Sequence, residues 1–364
     1  MKILHLLSGG GIGGIEILCR DIARFGCEEH EFCFLYTGGE IADKMEREQF
    51  QIHRMYEKAA LKRALSLIKL VKRKKYDVVI VHHEGAGIYT FYLMLIFLFH
   101  KVRFIKYLHC SFEWDYMHGK TEKKRKINYK MLGCTLKYSD QAVAVSEFVK
   151  ESYSREFGCD PTRIEVIYNG IQIPENGRYF LNTGKLKKIL YVGRLVEVKG
   201  VRVLLYALKN LLRDGEEAEL DILGDGAQKE EFIQLANELG IGKYVHFRGK
   251  ILEKQRYFDE ADIFVYPPIW EEAFGISVVE AMAQRKLCIA SRSGGIPEII
   301  SDQKDGLLFE KGNIEDLTRV LKKAIHLCGT SEYERMTETG RKKAEQFDIN
   351  SMVRQLENLC RNEK

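Results

Sequence analysis

Short apolar runs alternate with amphipathic stretches from the first residue to about position 170, and the alternation starts afresh near position 187. Short apolar runs predict buried strands, whereas apolar residues recurring at three- and four-residue spacing predict helices. In the first half the strands are expected at Lys2–Leu7, Glu31–Tyr36, Asp77–Val81, Phe104–His109, Gln141–Val145 and Ile164–Ile167. In the second half they are expected at Lys188–Val192, Glu219–Leu223, Val245–Arg248, Ile263–Val265, Leu287–Ala290 and Gly306–Phe309. Strands alternating with helices build βαβ units and parallel sheets. Between the halves, Pro174 to Gly184 carries no periodicity and reads as a linker. The expectation is therefore an α/β chain with two parallel-sheet domains, over residues 1–175 and 185–347, and a terminal helix at about 348–364 packing back on the first. Such sheets bind ligands at the carboxyl ends of their strands, so phosphate loops should face a cleft between the domains.

Composition narrows the class. The 364 residues suffice for two cores, and 45% hydrophobic with 30% charged residues is a globular balance. The net charge of +5 is uneven: residues 1–180 carry 28 Lys+Arg against 22 Asp+Glu, the rest 29 against 30. Two clusters hold the excess, Lys62–Lys75 and Lys120–Lys130. The first sets Leu61, Leu65, Ile68 and Val71 at helical spacing among its lysines, so it reads either as a helix lying on an anionic membrane or as a plain solvated face. The first cluster holds no aromatic and the second a single one, Tyr129, and no nucleic-acid motif accompanies them, which argues against nucleic acid as a partner. Ile88–Phe99, the most apolar run, is too short to span a bilayer and is expected as a buried helix or one dipping into the membrane interface. Nine cysteines without metal-ligand spacing, and a first strand where a leader would stand, point to reduced thiols in a cytoplasm.

The stretch Trp270–Arg285 carries the sharpest chemistry. Glu272 precedes Phe274-Gly275, which can open a helix, and Glu280 lies inside that helix. A helix start offers unpaired N–H groups and partial positive charge to a diphosphate. Carboxylates are repelled by phosphate but accept hydrogen bonds from vicinal hydroxyls. The segment thus reads as a cradle for a diphosphate between two polyols, the layout of a nucleotide-sugar. Tyr191–Gly200 adds Arg194 and Lys199 after a strand end, suited to the same diphosphate. Leu223–Glu231 adds a further glycine turn. Ser8–Ile17 holds five glycines and happens to fit a dinucleotide spacing, but no acidic residue ends the second strand, so a nicotinamide cofactor is not expected.

The ordered segments YVGRLVEVKG, LGDGAQKEEF, ADIFVYPPIWEEAFGISVVEAMA, SRSGGIPEII and DGLLF resemble glycosyltransferase family 4 (group 1). These are retaining, nucleotide-sugar-dependent enzymes of the GT-B fold, built from two Rossmann-like domains. The first half is similar more loosely, through GGIGGIE, SDQAVAVSEFVKE and VIYNGI. The resemblance implies that Arg194 and Lys199 bind the donor diphosphate, Glu280 the ribose hydroxyls, and Glu272 the hydroxyls of the transferred sugar. It places the backbone N–H groups of Phe274, Gly275 and Ile276 at the sugar or phosphate, Gly13 and Gly14 on the facing domain, and Lys250 and Ile251 beside the base. His109 corresponds to an active-site histidine near the reacting carbon, so His109, Glu272, Arg194 and Lys199 are the expected catalytic set. No D-x-D occurs, and neither metal nor cofactor is expected. The implied reaction is transfer from a UDP- or GDP-sugar to a saccharide, lipid-linked at the inner face of the plasma membrane, in capsule, exopolysaccharide or lipopolysaccharide synthesis. A catalytically silent partner subunit, or an epimerase or phosphorylase on the same fold, stands as the alternative.

Overall fold

A parallel strand covered on both faces needs an unbroken apolar run, and β1 (Lys2–Leu7), KILHLL, is buried from Ile3 onward. A computed structural model describes residues 1–11, 13–36, 38–82, 87–112, 121–174, 184–251 and 253–361. The first unit comprises Met1–Gly170 and Ile349–Lys364. Its seven strands are β1, β2 (Glu29–Phe34), β3 (Gln51–Arg54), β4 (Val78–Val81), β5 (Arg103–Leu108), β6 (Gln141–Ala144) and β7 (Ile164–Val166). They pair in parallel in the order β3-β2-β1-β4-β5-β6-β7. The order reverses between β1 and β4, which makes that junction a topological switch point.

The second unit, Ile171–Asp348, repeats the plan. Its strands are β8 (Lys187–Val192), β9 (Ala218–Leu223), β10 (Val245–Gly249), β11 (Ile263–Tyr266), β12 (Leu287–Ser291) and β13 (Leu307–Phe309), all parallel, ordered β10-β9-β8-β11-β12-β13. Here the switch point lies between β8 and β11.

Several elements depart from expectation. β3 was not anticipated, because QIHR has no apolar run and no fully buried residue at its sheet edge. β2 begins and ends two residues earlier than expected. In the basic helix Ala60–Lys74, Leu67, Leu70 and Val71 enter the core whereas Leu61 and Leu65 are exposed, so the expected single apolar face is split. The helix Gly87–Phe99 buries Leu93, Met94 and Phe97 and exposes Tyr92, Leu98 and Phe99. Among the described residues no helix is long and apolar enough to cross a membrane. Most of the expected linker, over residues 175–183, and Lys120 of the second basic cluster lie outside the described residues.

The last helix, Ile349–Arg361, belongs to the first unit. It buries Ile349, Met352, Val353, Leu356 and Leu359 and packs against the helix Gly14–Phe25. Arg361 pairs with Glu28, and Arg103 donates to the Cys360 carbonyl at 3.0 Å.

Candidate active site

In the second sheet each candidate residue sits in or just beyond a loop leaving the carboxyl end of a strand. β8 ends at Val192, and its loop runs through Arg194 to a short turn, Glu197–Lys199. Gly200 then opens the helix Val201–Arg213 at φ +71°, and a Cβ there would lie 1.8 Å from the Pro267 carbonyl oxygen. Ile269 also donates its N–H to the Val198 carbonyl at 3.0 Å. The β8 and β11 loops are therefore in backbone contact, which brings Lys199 beside Tyr266 at the end of β11.

The outcome is a three-residue cluster. Lys199 Nζ donates to the Tyr266 hydroxyl at 2.8 Å and to Glu272 Oε2 at 2.5 Å, and Tyr266 donates to the same Oε2 at 2.8 Å. Burial pushes the Glu272 carboxyl up, but the Lys199 charge and hydrogen bond, the Tyr266 hydroxyl and the Arg194 charge outweigh it and hold the group below its usual value. Burial and the adjacent carboxylate drive the Tyr266 phenol well above its ordinary range. Glu272 is thus an anion with Oε2 engaged. Among the described residues Oε1 has no hydrogen-bond partner, which leaves it as an acceptor for a hydroxyl.

The Glu272 loop is held from the β12 side. Glu272 donates its N–H to Ser293 Oγ at 3.1 Å, and its carbonyl accepts from Gly295 at 2.8 Å. The Ser293 hydroxyl donates to the Trp270 carbonyl, and Glu271 accepts from the Gly294 amide at 2.6 Å while pairing with Lys311. Gly294 has φ +51°, and a Cβ on it would stand 2.1 Å from the Glu272 carbonyl oxygen. This is what SRSGG does locally: it clamps the loop that aims Glu272.

Arg194 is exposed, and its guanidinium forms no hydrogen bond or ion pair among the described residues. Its backbone is fixed, since Tyr191 donates to the Arg194 carbonyl at 3.1 Å. Its charge nonetheless reaches Glu272 and Tyr266. Glu280, the fifth residue of the helix Ile276–Ala283, accepts from Lys254 Nζ with both oxygens at 2.6 Å. Lys254 was not anticipated: it stands just past Lys250 and Ile251 in a stretch without periodicity, and only the fold of that loop brings it to Glu280. Lys250 and Ile251 follow β10 directly. Gly275 starts the Glu280 helix, and among the described residues the Gly275 and Ile276 amides donate to no acceptor. The Phe274 side chain packs edge-on against Phe347, centroids 5.5 Å apart, so only its backbone is placed to meet a ligand.

In the first unit, Gly13 caps and Gly14 begins the helix Gly14–Phe25 that follows β1. His109 stands one residue beyond β5, stacked on Tyr107 with centroids 4.4 Å apart. Its Nε2 lies 2.8 Å from His82 Nδ1. Burial, with the Lys106 charge, holds its ring down to about 3, so it is neutral at physiological pH.

The family described as Glycosyl transferases group 1 matches residues 175–343, and Glycosyltransferase Family 4 matches residues 12–173. The chain belongs to the group 1 glycosyltransferases. Its two Rossmann-like units are those of the GT-B class. An uncharacterized glycosyltransferase of Methanocaldococcus jannaschii is 31% identical over 219 residues, 59% of this chain and 57% of that protein. A 41.2 kDa protein in the cps region of Klebsiella pneumoniae is 28% identical over 71% of each chain. Matches to several curated relatives span little more than half of their length. Among solved structures, Anabaena Alr3699/HepE, crystallised with UDP, superposes with a TM-score of 0.85 at 18% identity over 99% of both chains, and it has also been solved with UDP-glucose.

Proposed function

We propose that this protein is a retaining glycosyltransferase that moves a sugar from a nucleotide-sugar, a UDP-sugar in the first instance, to a saccharide acceptor. The observation that carries the reading is the Lys199–Tyr266–Glu272 cluster beside Arg194 at the carboxyl edge of the second sheet. Arg194 and Lys199 oppose the charge that builds on the departing diphosphate, and preorganised charge of this kind lowers the barrier without reorganisation. The amides of Gly275 and Ile276 add a helix start to the same task. Glu272 Oε1 holds a hydroxyl of the transferred sugar, and Glu280, oriented by Lys254, holds the ribose. Cations of the protein take the part a metal plays elsewhere.

An acceptor hydroxyl attacks the anomeric carbon from the face that the diphosphate leaves. The carbon–oxygen bond to phosphate breaks, the new glycosidic bond forms, and the hydroxyl proton passes to a phosphate oxygen. Configuration is retained without a covalent enzyme intermediate.

A lipid-linked acceptor for a cell-surface polysaccharide suits the first unit. Its helix Ala60–Lys74 presents Leu61 and Leu65 to solvent beside Lys62, Lys69 and Lys72, a surface able to rest on an anionic bilayer. The Klebsiella relative's cps-region name agrees with such a pathway. A thermal-shift screen of UDP-, GDP- and ADP-sugars tests donor choice, because a ligand at a hundred times its Kd stabilises by about 2.7 kcal/mol. Nucleoside diphosphate release with membranes then tests transfer. Binding without turnover would mark a silent partner subunit, and neither binding nor turnover would defeat the proposal.

A further inference from the structure

Four histidines far apart in sequence lie on one face of the first sheet. Across β2-β1-β4-β5 they are His30, His5, His82 and His109. The register sets Ile3 opposite His30, His5 opposite Ile80, and Ile80 opposite Ile105. Each histidine therefore stands two residues further along than its neighbour's partner, and all four project from the same side. They form a diagonal file ending at the carboxyl edge of β5.

The file is hydrogen-bonded throughout. Glu357 Oε1 lies 3.0 Å from His30 Nε2, His30 Nδ1 2.8 Å from His5 Nε2, His5 Nδ1 2.9 Å from His82 Nε2, and His82 Nδ1 2.8 Å from His109 Nε2. His5, His82 and Glu357 are at most 2% exposed. Glu357 also accepts the amides of Cys27 at 2.7 Å and Glu28 at 2.9 Å. An ionised carboxylate only accepts, so His30 must donate from Nε2 and offer a lone pair at Nδ1. The same logic passes along each ring, because a neutral imidazole carries one donor and one acceptor. At the far end His109 donates from Nε2, which leaves the lone pair on Nδ1.

We propose that Glu357, acting through His30, His5 and His82, fixes the tautomer of His109 and so presents Nδ1 as an acceptor for a carbohydrate hydroxyl. The functional half of this statement rests on the reading of His109 as a residue at the reacting sugar. Glu357 and the three inner histidines are positioning residues. Among the described residues no group bonds His109 Nδ1. The chain's surroundings keep it neutral. Burial dominates at His5 and His82, Lys106 beside His82 and His109 adds its charge, and the amino terminus opposes Glu28 and Glu357 at His30. Cys19 faces the same file from the helix Gly14–Phe25, and its buried thiol is pushed well up. His5, Cys19 and His82 place ligand atoms within 4.8 Å of one another, as a metal site would. However, every ring nitrogen of His5 and His82 is already engaged, so an ion there would have to break the file.

The test is a long-range 1H–15N correlation spectrum of the full chain labelled on histidine, ligand-free and at neutral pH. The wild type should show His109 with a protonated Nε2 and an unprotonated Nδ1. The Cys27 and Glu28 amides and His30 Nε2 all donate to Glu357 Oε1, so E357Q, whose side-chain oxygen can accept the same three N–H groups, should keep the wild-type pattern. E357L, which leaves His30 Nε2 without that acceptor, should populate the reversed tautomer and lower kcat severalfold, with donor KM within about twofold. H30Q, able to accept from His5 and donate to Glu357, should keep the wild-type pattern, and H30L should lose it. A protonated Nδ1 on wild-type His109, an unchanged tautomer in folded E357L, or a transition metal bound by His5 and His82 would overturn the proposal. Because the spectrum needs no substrate, its failure is separable from failure of the transferase reading, which shows as absent turnover.

Discussion

The two sheets share a plan and differ in the side chains they gather. The second collects charge: Lys199, Glu272 and Arg194 lie around one hydroxyl, with Glu280 and Lys254 as a second ion pair. The first collects neutral rings, a file of buried and half-buried histidines tied to one carboxylate. Charge suits a ligand that is itself a polyanion, whereas an uncharged acceptor suits hydroxyls. The two units thus share a topology and differ in the side chains it gathers: of the file only His82 and His109 stand just past strand ends, where the second unit places its charges.

Removing charge from the second unit should have the largest effect. Glu272→Ala and Arg194→Ala should each lower kcat about a thousandfold with an unchanged circular dichroism spectrum, and activity within tenfold of wild type would break the contrast. Next comes the scaffold under that cluster. Gly200→Ala has no room, with backbone 1.8 Å from the new Cβ, and should destabilise the second unit by about 2–4 kcal/mol in denaturant unfolding, leaving the first unit's transition in place.

Acid should separate the two units. Burial holds His5, His30, His82 and His109 below their ordinary 6.5, His109 to about 3. Unfolded histidines bind protons below about 6.5 while the folded ones do not, so the first unit loses stability as pH falls from 6.5, at up to about 1.4 kcal/mol per pH unit for each histidine. Glu272 is depressed instead. Its contribution is present above about 4.5 and is lost only as pH falls through the lower folded value. Between pH 6.5 and 4.5, amide protection relative to the unfolded chain's exchange rate should therefore fall in the first unit and not around Glu272. The smallest effect expected is at Lys254→Ala, which loosens Glu280 and should raise donor KM about tenfold with kcat little changed.

How much was legible in the sequence follows the same divide. Among the described residues apolar runs revealed twelve of the thirteen strands to within two residues, and the polar edge strand Gln51–Arg54 gave no signal. Arg194 and Lys199 stood out as candidates because they follow a strand end and a glycine, and Glu272 because it precedes a helix start. Their convergence on Tyr266 was not legible, since a tyrosine closing an apolar run looks like core. Ser293 and Gly294 were visible as a motif without a task. The histidine file was invisible: His30 and Glu357 are 327 positions apart, and only the strand order and the returning final helix bring them together.

The most direct test is a crystal structure of the protein with an intact nucleotide-sugar. The diphosphate is predicted to lie within about 3 Å of the Arg194 guanidinium, Lys199 Nζ and the Gly275 or Ile276 amide, with a sugar hydroxyl on Glu272 Oε1. A diphosphate bound elsewhere, with the Lys199–Glu272 pair untouched by ligand, would contradict the account.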